Sequence, residues 1–346
     1  MVGFDRLAAA VVLALGLAGS CGELVIGPID ETRNDHGKER PPCERPPQGR
    51  VSQRFPEVVV DDWGEPVKLS APINTDCLED AVEISGCGTK LYFMYAEDLL
   101  SKLRGAMLSF PNGTYVATRT GGPGEFSPPT FFELGRGTDG SLDGSPSFSP
   151  DGSRVYFHSN RVTNLGYQQG LDDFLDLYAA PLENGVPGVA ENLGPPVNSV
   201  YADGEAALHP DGVTLYFASL RPGPSLFTGE AGRGNLWRST WNGSEWGEPE
   251  FLPDSINRPW SGQKQPAFTA DGNTLYFVSD HLPNRAAIYR SALDGDGGFS
   301  DPELVIKGIV GEPSLTADGR FLYFVHVLKD RTGGFGSDIW YVERRD

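Results

Sequence analysis

The sequence contains few of the side chains that most often carry out chemistry. It has five histidines and four cysteines in 346 residues, and the strings GxSxG, HExxH and the P-loop do not occur. The histidines are spread over separate segments, at His36, His158, His209, His281 and His326. Because zinc ligands are usually closely spaced, we expect no metal site, and the usual signs of a hydrolase or a nucleotide-binding protein are missing.

Basic residues and long apolar runs are scarce as well. Lysine and arginine number 28 against 47 aspartates and glutamates, which gives a formal net charge of −19. A negative field does not attract nucleic acid or anionic lipid, so we expect neither as a partner. The apolar run from Leu7 to Leu17 has 11 residues, and a bilayer-spanning helix needs about 20.

The first residues resemble a bacterial lipoprotein signal. Arg6 precedes the apolar run, and the small residues Ala18, Gly19 and Ser20 lead to Cys21, as in a lipobox. The resemblance implies a signal peptide over residues 1–20 and lipidation of Cys21. The exported protein would then face the periplasm or the cell surface, and the lipid would be its only membrane anchor. Ordinary cleavage without a lipid is the alternative.

The next segment has no hydrophobic periodicity. Residues 21–61 include the charged, Pro-rich stretch ETRNDHGKERPPCERPPQGR, so we expect a disordered tether after Cys21. Export implies an oxidising compartment. We expect a disulfide between Cys77 and Cys87, which flank the first strand of the folded domain, and a bond from Cys43 to either of them is the alternative.

Residues 62–346 contain one phrase in five versions. Its copies are AVEISGCGTKLYFMY (81–95), SPSFSPDGSRVYFHS (145–159), EAALHPDGVTLYFAS (205–219), QPAFTADGNTLYFVS (265–279) and EPSLTADGRFLYFVH (312–326). Each predicts a β-hairpin: an alternating apolar strand, an Asp-Gly turn and a strand rich in aromatic residues. We expect a type I′ turn, in which both central residues have positive φ. Self-similarity at this period indicates stacked or radially arranged units.

Two further strands follow each hairpin. The third is represented by DLYAAPL (176–182) and DIWYVER (338–344), and the fourth by WGEPVKL (63–69) and WGEPEFL (246–252), with GVPGVAENL (185–193) in the same place. Four strands per repeat is the content of a propeller blade. The phrases resemble the WD40-like propeller repeats of the TolB and PD40 type, with their SPDG…YF…S…R and DIY signatures. That resemblance implies the architecture and is nearly silent about activity.

We therefore expect an all-β propeller of five four-stranded blades. The repeat region opens with a fourth-type strand and ends with a third-type strand. Residues 63–69 can therefore complete the last blade, close the ring and hide its strand edges. Six blades is the alternative, if VVV (58–60) belongs to a degenerate blade. We expect the ring to be monomeric.

Two loops match binding motifs only by their letters. GRGTDG (135–140) fits the dinucleotide fingerprint, but a strand follows it where the motif requires a helix. DGSLDG (139–144) places Asp139, Ser141 and Asp143 at the spacing of a calcium loop, but Pro150 stands where a bidentate Glu is required. We interpret both as loops and expect no cofactor, with a structural Ca²⁺ in the second as the alternative.

The repeat geometry also places acids near one mouth of the central channel. The candidates, at the start of the first strand of each blade, are Asp80, Asp143, Asp203, Glu205 and Glu312, with Glu79 beside them. The fourth repeat has Gln263, Lys264 and Gln265 instead. These acids would bind a cation, a basic peptide or a sugar, or they would only cap strand ends and solvate the rim. Arg161 and Arg221 match the arginine of the family signature, and we expect them to tie adjacent blades.

Two functions remain. The hypothesis that we favour is a non-catalytic binding or scaffold module in the cell envelope, which presents a propeller face to a protein or glycan. Trp241, Trp246 and Trp260 would provide aromatic anchors or pack between blades. The alternative is a glycan-active enzyme of the glycoside hydrolase kind that uses the carboxylates at the mouth. Those carboxylates follow the repeat, whereas a catalytic pair usually breaks it, so the sequence favours a protein that is not an enzyme.

Overall fold

The computed structural model describes residues 38–40, 42–43, 55–96, 113–135, 142–167, 175–224, 234–259, 261–280, 286–294, 297–329 and 335–345. The predicted signal peptide, Cys21 and Trp260 lie outside these ranges. The strands of the first half are β1 (Glu57–Val58), β2 (Val67–Lys68), β3 (Leu78–Ile84), β4 (Lys90–Ala96), β5 (Gly113–Thr118), β6 (Thr130–Phe131), β7 (Asp143–Phe148), β8 (Arg154–Ser159), β9 (Asp176–Glu183), β10 (Val186–Pro187) and β11 (Glu191–Asn192). Those of the second half are β12 (Asp203–Leu208), β13 (Thr214–Ser219), β14 (Asn235–Thr240), β15 (Glu250–Phe251), β16 (Gln263–Phe268), β17 (Thr274–Ser279), β18 (Ala287–Ala292), β19 (Glu303–Lys307), β20 (Val310–Leu315), β21 (Phe321–Lys329) and β22 (Phe335–Glu343).

The strands pair antiparallel within each sequence repeat. We name the groups sheet 1 (β3–β6), sheet 2 (β7–β11), sheet 3 (β12–β15), sheet 4 (β16–β19, with β1) and sheet 5 (β20–β22, with β2); one parallel pair, Ser337 of β22 with Leu78 of β3, joins sheets 5 and 1. The prediction of an all-β fold built from four-stranded antiparallel sheets is confirmed. The stretch GVPGVAENL forms two short strands, β10 and β11, which both pair with β9.

The hairpins turn differently from the predicted type I′ geometry. The glycine of each Asp-Gly pair has positive φ, for example 69° at Gly152, but Asp151 does not. The N–H of Gly152 donates to the carbonyl of Ser149 (2.8 Å), with Pro150 and Asp151 between them. Proline fixes a negative φ there. Hydrogen bonds from Ser149 and Ser153 to Asp151 close the turn and hold the pKa of that carboxyl below its usual value.

Residues near the amino terminus run along the carboxy-terminal strand. Val67 and Lys68 of β2 pair with Tyr341 and Trp340 of β22. The N–H of Leu69 donates to Ile339 O (3.0 Å), and the Lys68 ammonium reaches Asp338 (2.7 Å). These contacts place part of the segment 63–69 beside the last strand of the chain, which is where the order of the strand types predicts it.

Two parts of the predicted tether are packed on the folded domain instead. Glu57 and Val58 of β1 extend the outer edge of sheet 4, opposite Lys307 and Ile306. Val58 therefore adds to the existing sheet 4. Residues 38–40 lie beside β6 in the same manner, with Phe131 N–H donating to Lys38 O (2.7 Å). The folded region therefore includes residues that the sequence assigned to the tether of 21–61.

The predicted disulfide is wrong in its partner. Cys77, which is fully buried, is bonded to Cys43, with the Cα atoms 5.8 Å apart. Cys77 is therefore not available to Cys87. The cause is the packing of the amino-terminal segment: once residues 38–40 join sheet 1, Cys43 lies beside the strand start at Cys77.

Apolar side chains fill the spaces between neighbouring sheets. Five buried clusters join sheets 1 and 5, 5 and 4, 4 and 3, 3 and 2, and 2 and 1. Phe93, Phe157, Phe217, Phe277 and Phe324 stand at matching positions in the second strands, and each is at most 1% exposed. The aromatic residues of the repeat therefore form the core between the sheets. The polar residues of the first strands face the interior that those strands surround.

Candidate polar site in the central channel

The first strands of the five sheets surround a common interior. β3 contacts β7, β7 contacts β12, β12 contacts β16, β16 contacts β20, and β20 contacts β3. Each of them contains a β-bulge, for example between Gly204 and Ala207 in β12. The bulge gives one residue per strand a φ of 50–55°, namely Ala81, Ser145, Glu205, Gln265 and Glu312. Positive φ at non-glycine residues costs about 1–2 kcal/mol each and is often found at functional sites.

The bulges line a small cavity on this axis. Its volume is about 120 Å³, and all five first strands contribute to its wall. Three of the bulge residues carry polar side chains that meet there. The amide nitrogen of Gln265 donates to Glu312 Oε1 (2.6 Å) and to Glu205 Oε1 (3.3 Å), and Gln265 Oε1 accepts the Glu312 N–H (3.1 Å). Sheets 3, 4 and 5 are thus linked by one amide between two carboxylates.

A lysine lies among these carboxylates. Lys264 precedes Gln265, and the negative charges of Glu205, Glu312 and Asp80 raise the pKa of its ammonium. Burial raises the pKa of Glu205, and the charge of Lys264 opposes that shift. The positions equivalent to Asp80 and Lys264 in the other sheets are glycines, Gly144, Gly204 and Gly311. At Gly311 a Cβ would stand 2.6 Å from Gln265 Oε1, so the bridging amide requires glycine there.

One further acid lines the cavity and was missed in the sequence. Glu83 accepts a hydrogen bond from Ser314 Oγ (2.7 Å), and burial raises the pKa of Glu83 to about 7. The other sheets have a small residue at this position: Ser147, Ala207, Ala267 and Ser314. A glutamate among serines and alanines breaks the repeat, and that break was the available signal.

Two of the predicted mouth acids have structural partners. Asp143 pairs with Arg161 (3.3 Å), and Asp203 pairs with Arg221 (2.7 Å). Arg221 also donates to the carbonyls of Pro196 and Val197, in the loop that enters sheet 3. The arginines thus bind within their own sheet and its entry loop, whereas the sequence led us to expect ties between adjacent blades. The predicted set therefore divides into two groups: Asp80, Glu205 and Glu312 belong to the channel cluster, whereas Asp143 and Asp203 belong to ion pairs.

Sheet 1 contains a third ion pair of this kind, and its arginine comes from the amino-terminal segment. Arg40 lies 3.3 Å from Glu79, which is fully buried and also accepts hydrogen bonds from Thr75. Burial raises the pKa of Glu79 to about 7 even with Arg40 beside it, because the cost of desolvation is larger than the attraction. Arg40 also donates to the carbonyls of Pro72 and Ile73.

Among the described residues, the remaining candidates do not form a second cluster. Asp143 of the calcium-type loop is paired with Arg161, and Asp139 and Ser141 lie outside the described residues. Within the described ranges, no three His, Cys, Asp or Glu side chains are grouped to hold a metal ion. Trp241 packs edge-on against Trp246 (5.5 Å), which also contacts Tyr156 of sheet 2. No helix in the described part of the chain is long and apolar enough to span a bilayer.

No protein-family model matches the sequence, and no curated protein matches it either. Solved structures do match. TolB from Acinetobacter baumannii is 14% identical, with 79% of this chain and 55% of that chain covered and a TM-score of 0.43. A putative TolB from Agrobacterium tumefaciens is 16% identical, with 79% and 92% covered and a TM-score of 0.43. An alpha-L-arabinofuranosidase from Lactobacillus brevis is 11% identical, with 80% and 92% covered and a TM-score of 0.49. The all-β fold of four-stranded antiparallel sheets is similar to the fold of these structures, and that similarity extends to the fold alone.

Proposed function

We propose that this chain is a non-catalytic binding module of the bacterial cell envelope, and that its channel takes a basic side chain from a protein partner. The five sheets form one closed five-bladed ring, in which β2 completes the last blade. The protein is exported, and a lipid on Cys21 holds it at the membrane. The disulfide between Cys43 and Cys77 supports export, because such bonds persist in oxidising compartments.

The size of the channel cavity carries this proposal. A cavity of about 150 Å³ holds a benzene ring, and the channel cavity is about 120 Å³. That volume is adequate for the head of a lysine or arginine side chain. The acids that line the cavity, Glu83, Glu205 and Glu312, outnumber Lys264, so the interior attracts a cation at a pH above the raised pKa values of Glu83 and Glu205.

A titration with tetralysine tests the proposal, with tetraglutamine as the neutral peptide. The double variant Glu205→Gln/Glu312→Gln retains an acceptor for the Gln265 amide but loses two charges. The matched control is Glu250→Gln/Glu303→Gln, which removes two charges from exposed ion pairs with Arg238 and Arg290. We expect only the channel variant to weaken tetralysine binding, by about tenfold or more. Equal weakening in both variants, or binding of tetraglutamine, contradicts the proposal.

A glycan-active enzyme is the second candidate, and one observation favours it. Glu83 and Glu205 line the same cavity, and burial raises the pKa of both; a general acid needs such a shift. An assay of carbohydrate release by the wild type, Glu83→Gln and Glu205→Gln decides the matter. Release by the wild type that both variants abolish would establish the enzyme, whereas no release by the wild type eliminates it.

A further inference from the structure

Three sheets hold an arginine in the same kind of socket. The guanidinium stacks on aromatic rings of its sheet and pairs with the acid at the start of the first strand. In sheet 2, Arg161 lies over Tyr178 (4.3 Å) and pairs with Asp143. In sheet 3, Arg221 lies over Phe217 and Trp237 (5.3 and 5.4 Å) and pairs with Asp203. In sheet 1, Arg40 lies over Tyr95 (4.8 Å) and pairs with Glu79.

Sheet 4 has the same aromatic pair but lacks the acid. Phe277 and Tyr289 stack with centroids 6.0 Å apart at 27°, close to the 6.0 Å and 22° of Phe157 and Tyr178 in sheet 2. Gln263 replaces the acid. Among the described residues, no arginine stacks on the Phe277–Tyr289 pair, and a cavity of about 210 Å³ lies against it. We name this cavity the sheet 4 socket; it is separate from the channel.

The sheet 4 socket contains a buried polar group with no partner. Tyr289 is 7% exposed, and its hydroxyl has no hydrogen-bond partner within the described part of the chain, although the side chain lines the cavity. The matching hydroxyl of Tyr178 donates to Asn164 (2.6 Å). A buried hydroxyl without a partner costs about 1–3 kcal/mol, and a bound ligand would recover that cost.

The charge of this socket is reversed relative to sheets 1 and 3. In those sheets a hydroxyl residue, Thr75 or Ser199, precedes the first strand and binds the acid. Asn257 accepts a hydrogen bond from the first residues of β14, as Asn198 does from those of β9. Ser199 follows Asn198 in the chain, so its equivalent in sheet 4 is the residue that follows Asn257, which is Arg258. Arg258 lines the cavity, and its charge acts on the Tyr289 hydroxyl, against the effect of burial on the pKa of that group. Compared with sheets 1 and 3, sheet 4 therefore has the neutral Gln263 in place of an acid and the positively charged Arg258 in place of a hydroxyl residue.

We infer that the sheet 4 socket binds a small carboxylate with a flat apolar body. Arg258 would pair with the carboxylate at the half-buried rim, in the bidentate geometry that guanidinium favours. The Tyr289 hydroxyl would donate to the same group. The buried Ile256 and Phe277, together with Leu304, form the apolar wall. About 210 Å³ exceeds the roughly 150 Å³ that holds benzene, which leaves room for a ring and a carboxylate.

Binding of three probes that share one ring tests this inference. Benzoate, benzamidine and benzyl alcohol carry a negative, a positive and no charge, and their binding is followed by ligand-observed NMR at physiological ionic strength. We expect saturable benzoate binding with a Kd of about 1 mM or tighter, and weaker binding of the other two. Tighter binding of benzamidine would mean that the socket has kept its preference for cations, and that result would overturn the inference. Absence of saturable benzoate binding would overturn it too.

Three variants locate the site. Arg258→Gln should weaken benzoate binding by about tenfold, and Tyr289→Phe, which keeps the ring, by about threefold. Arg320→Gln, which removes an arginine from an exposed ion pair with Glu343 in sheet 5, should leave the Kd unchanged. Equal Kd values for the wild type and Arg258→Gln overturn the inference. Melting curves confirm that each variant is folded, and the tetralysine titration of the channel reports independently on the proposed function.

Discussion

Glu83 should make this protein less stable as the pH rises from 5 to 8. Burial raises the pKa of Glu83 to about 7 from the model-compound value of 4.5, so the folded state binds this proton more tightly than the unfolded state does. The stabilisation is complete below pH 4.5 and is lost as the pH rises through 7. A shift of this size corresponds to about 3 kcal/mol if the group were fully dry. Glu83 is half-buried beside the channel cavity, so we expect about 1.5–3 kcal/mol.

The variant Glu83→Gln isolates this effect. Glutamine can accept the same hydrogen bond from Ser314 but does not titrate. A domain of this size shifts by about 2 °C per kcal/mol, so the variant should melt about 3–6 °C above the wild type at pH 8 and at the same temperature at pH 5. Thermal melts between pH 5 and 8 measure the difference. Glu303→Gln, at an exposed ion pair, is the control for the loss of one charge.

The reasoning is refuted if Glu83→Gln melts at or below the wild type at pH 8 and keeps the wild-type slope. Part of the slope should survive in the variant, because burial also raises the pKa of Glu79 to about 7. The carboxyl groups in the turns do not interfere in this window. Hydrogen bonds lower the pKa of Asp151 and of Asp271, so their stabilisation is lost only at acid pH.

Three further predictions follow from the amino-terminal segment. Arg40→Met leaves Glu79 buried without its charge partner and should lower the free energy of unfolding by about 3–5 kcal/mol. Adding Glu79→Gln should recover part of that loss, because Gln263 occupies the same position in sheet 4. A double-mutant cycle from denaturant melts measures the coupling between the two residues. Replacing Cys43 and Cys77 with serine opens a loop of 34 residues and should cost about 4 kcal/mol, and an unchanged denaturation midpoint would contradict this. Mass spectrometry of the envelope-extracted protein should find acyl chains on Cys21, and a disulfide at Cys21 would rule out the anchor.

The sequence was most informative where its chemistry is repeated. Aromatic residues at a fixed place in each repeat predicted the second strands, and the fourth-type phrase at 63–69 predicted a partner strand at the far end of the chain. The first prediction depends on alternating burial, which a local pattern records, and the second depends on the order of the strand types along the chain. The turn type could not be obtained from the Asp-Gly pair alone, because it also depends on the hydrogen bonds that the aspartate accepts from its neighbours, at Asp151 from the Ser149 hydroxyl and the Ser153 N–H.

Parts of the segment 21–61 were predicted to be disordered because its composition does not show which strands they contact. Residues 38–40 are all charged, and residues 55–58 are too short a stretch to show a hydrophobic period. Their place in the fold depends on an exposed edge of β6 or β19 and on a buried Glu79 that needs an arginine. Those partners are distant in sequence. Pairing of Cys77 with Cys43 follows from the same packing.

The channel cluster was half visible in the sequence. Glu205 and Glu312 were found because they repeat, but Gln265 was interpreted as an exception, whereas it is the residue that bridges them. Its role depends on the β-bulge that turns each of these side chains toward the axis. Glu83 and the sheet 4 socket were hidden for the opposite reason, since both are places where the repeat changes.

Native-state hydrogen exchange of the segment 63–69 tests the closed ring most directly. If β2 completes the last blade, the N–H of Leu69, which donates to Ile339 O, should exchange as slowly as the central amides of β22, within about tenfold. The peptide from this segment should gain deuterium only when the whole sheet opens. Exchange within seconds at Leu69, with β22 still protected, would contradict closure and with it the channel site.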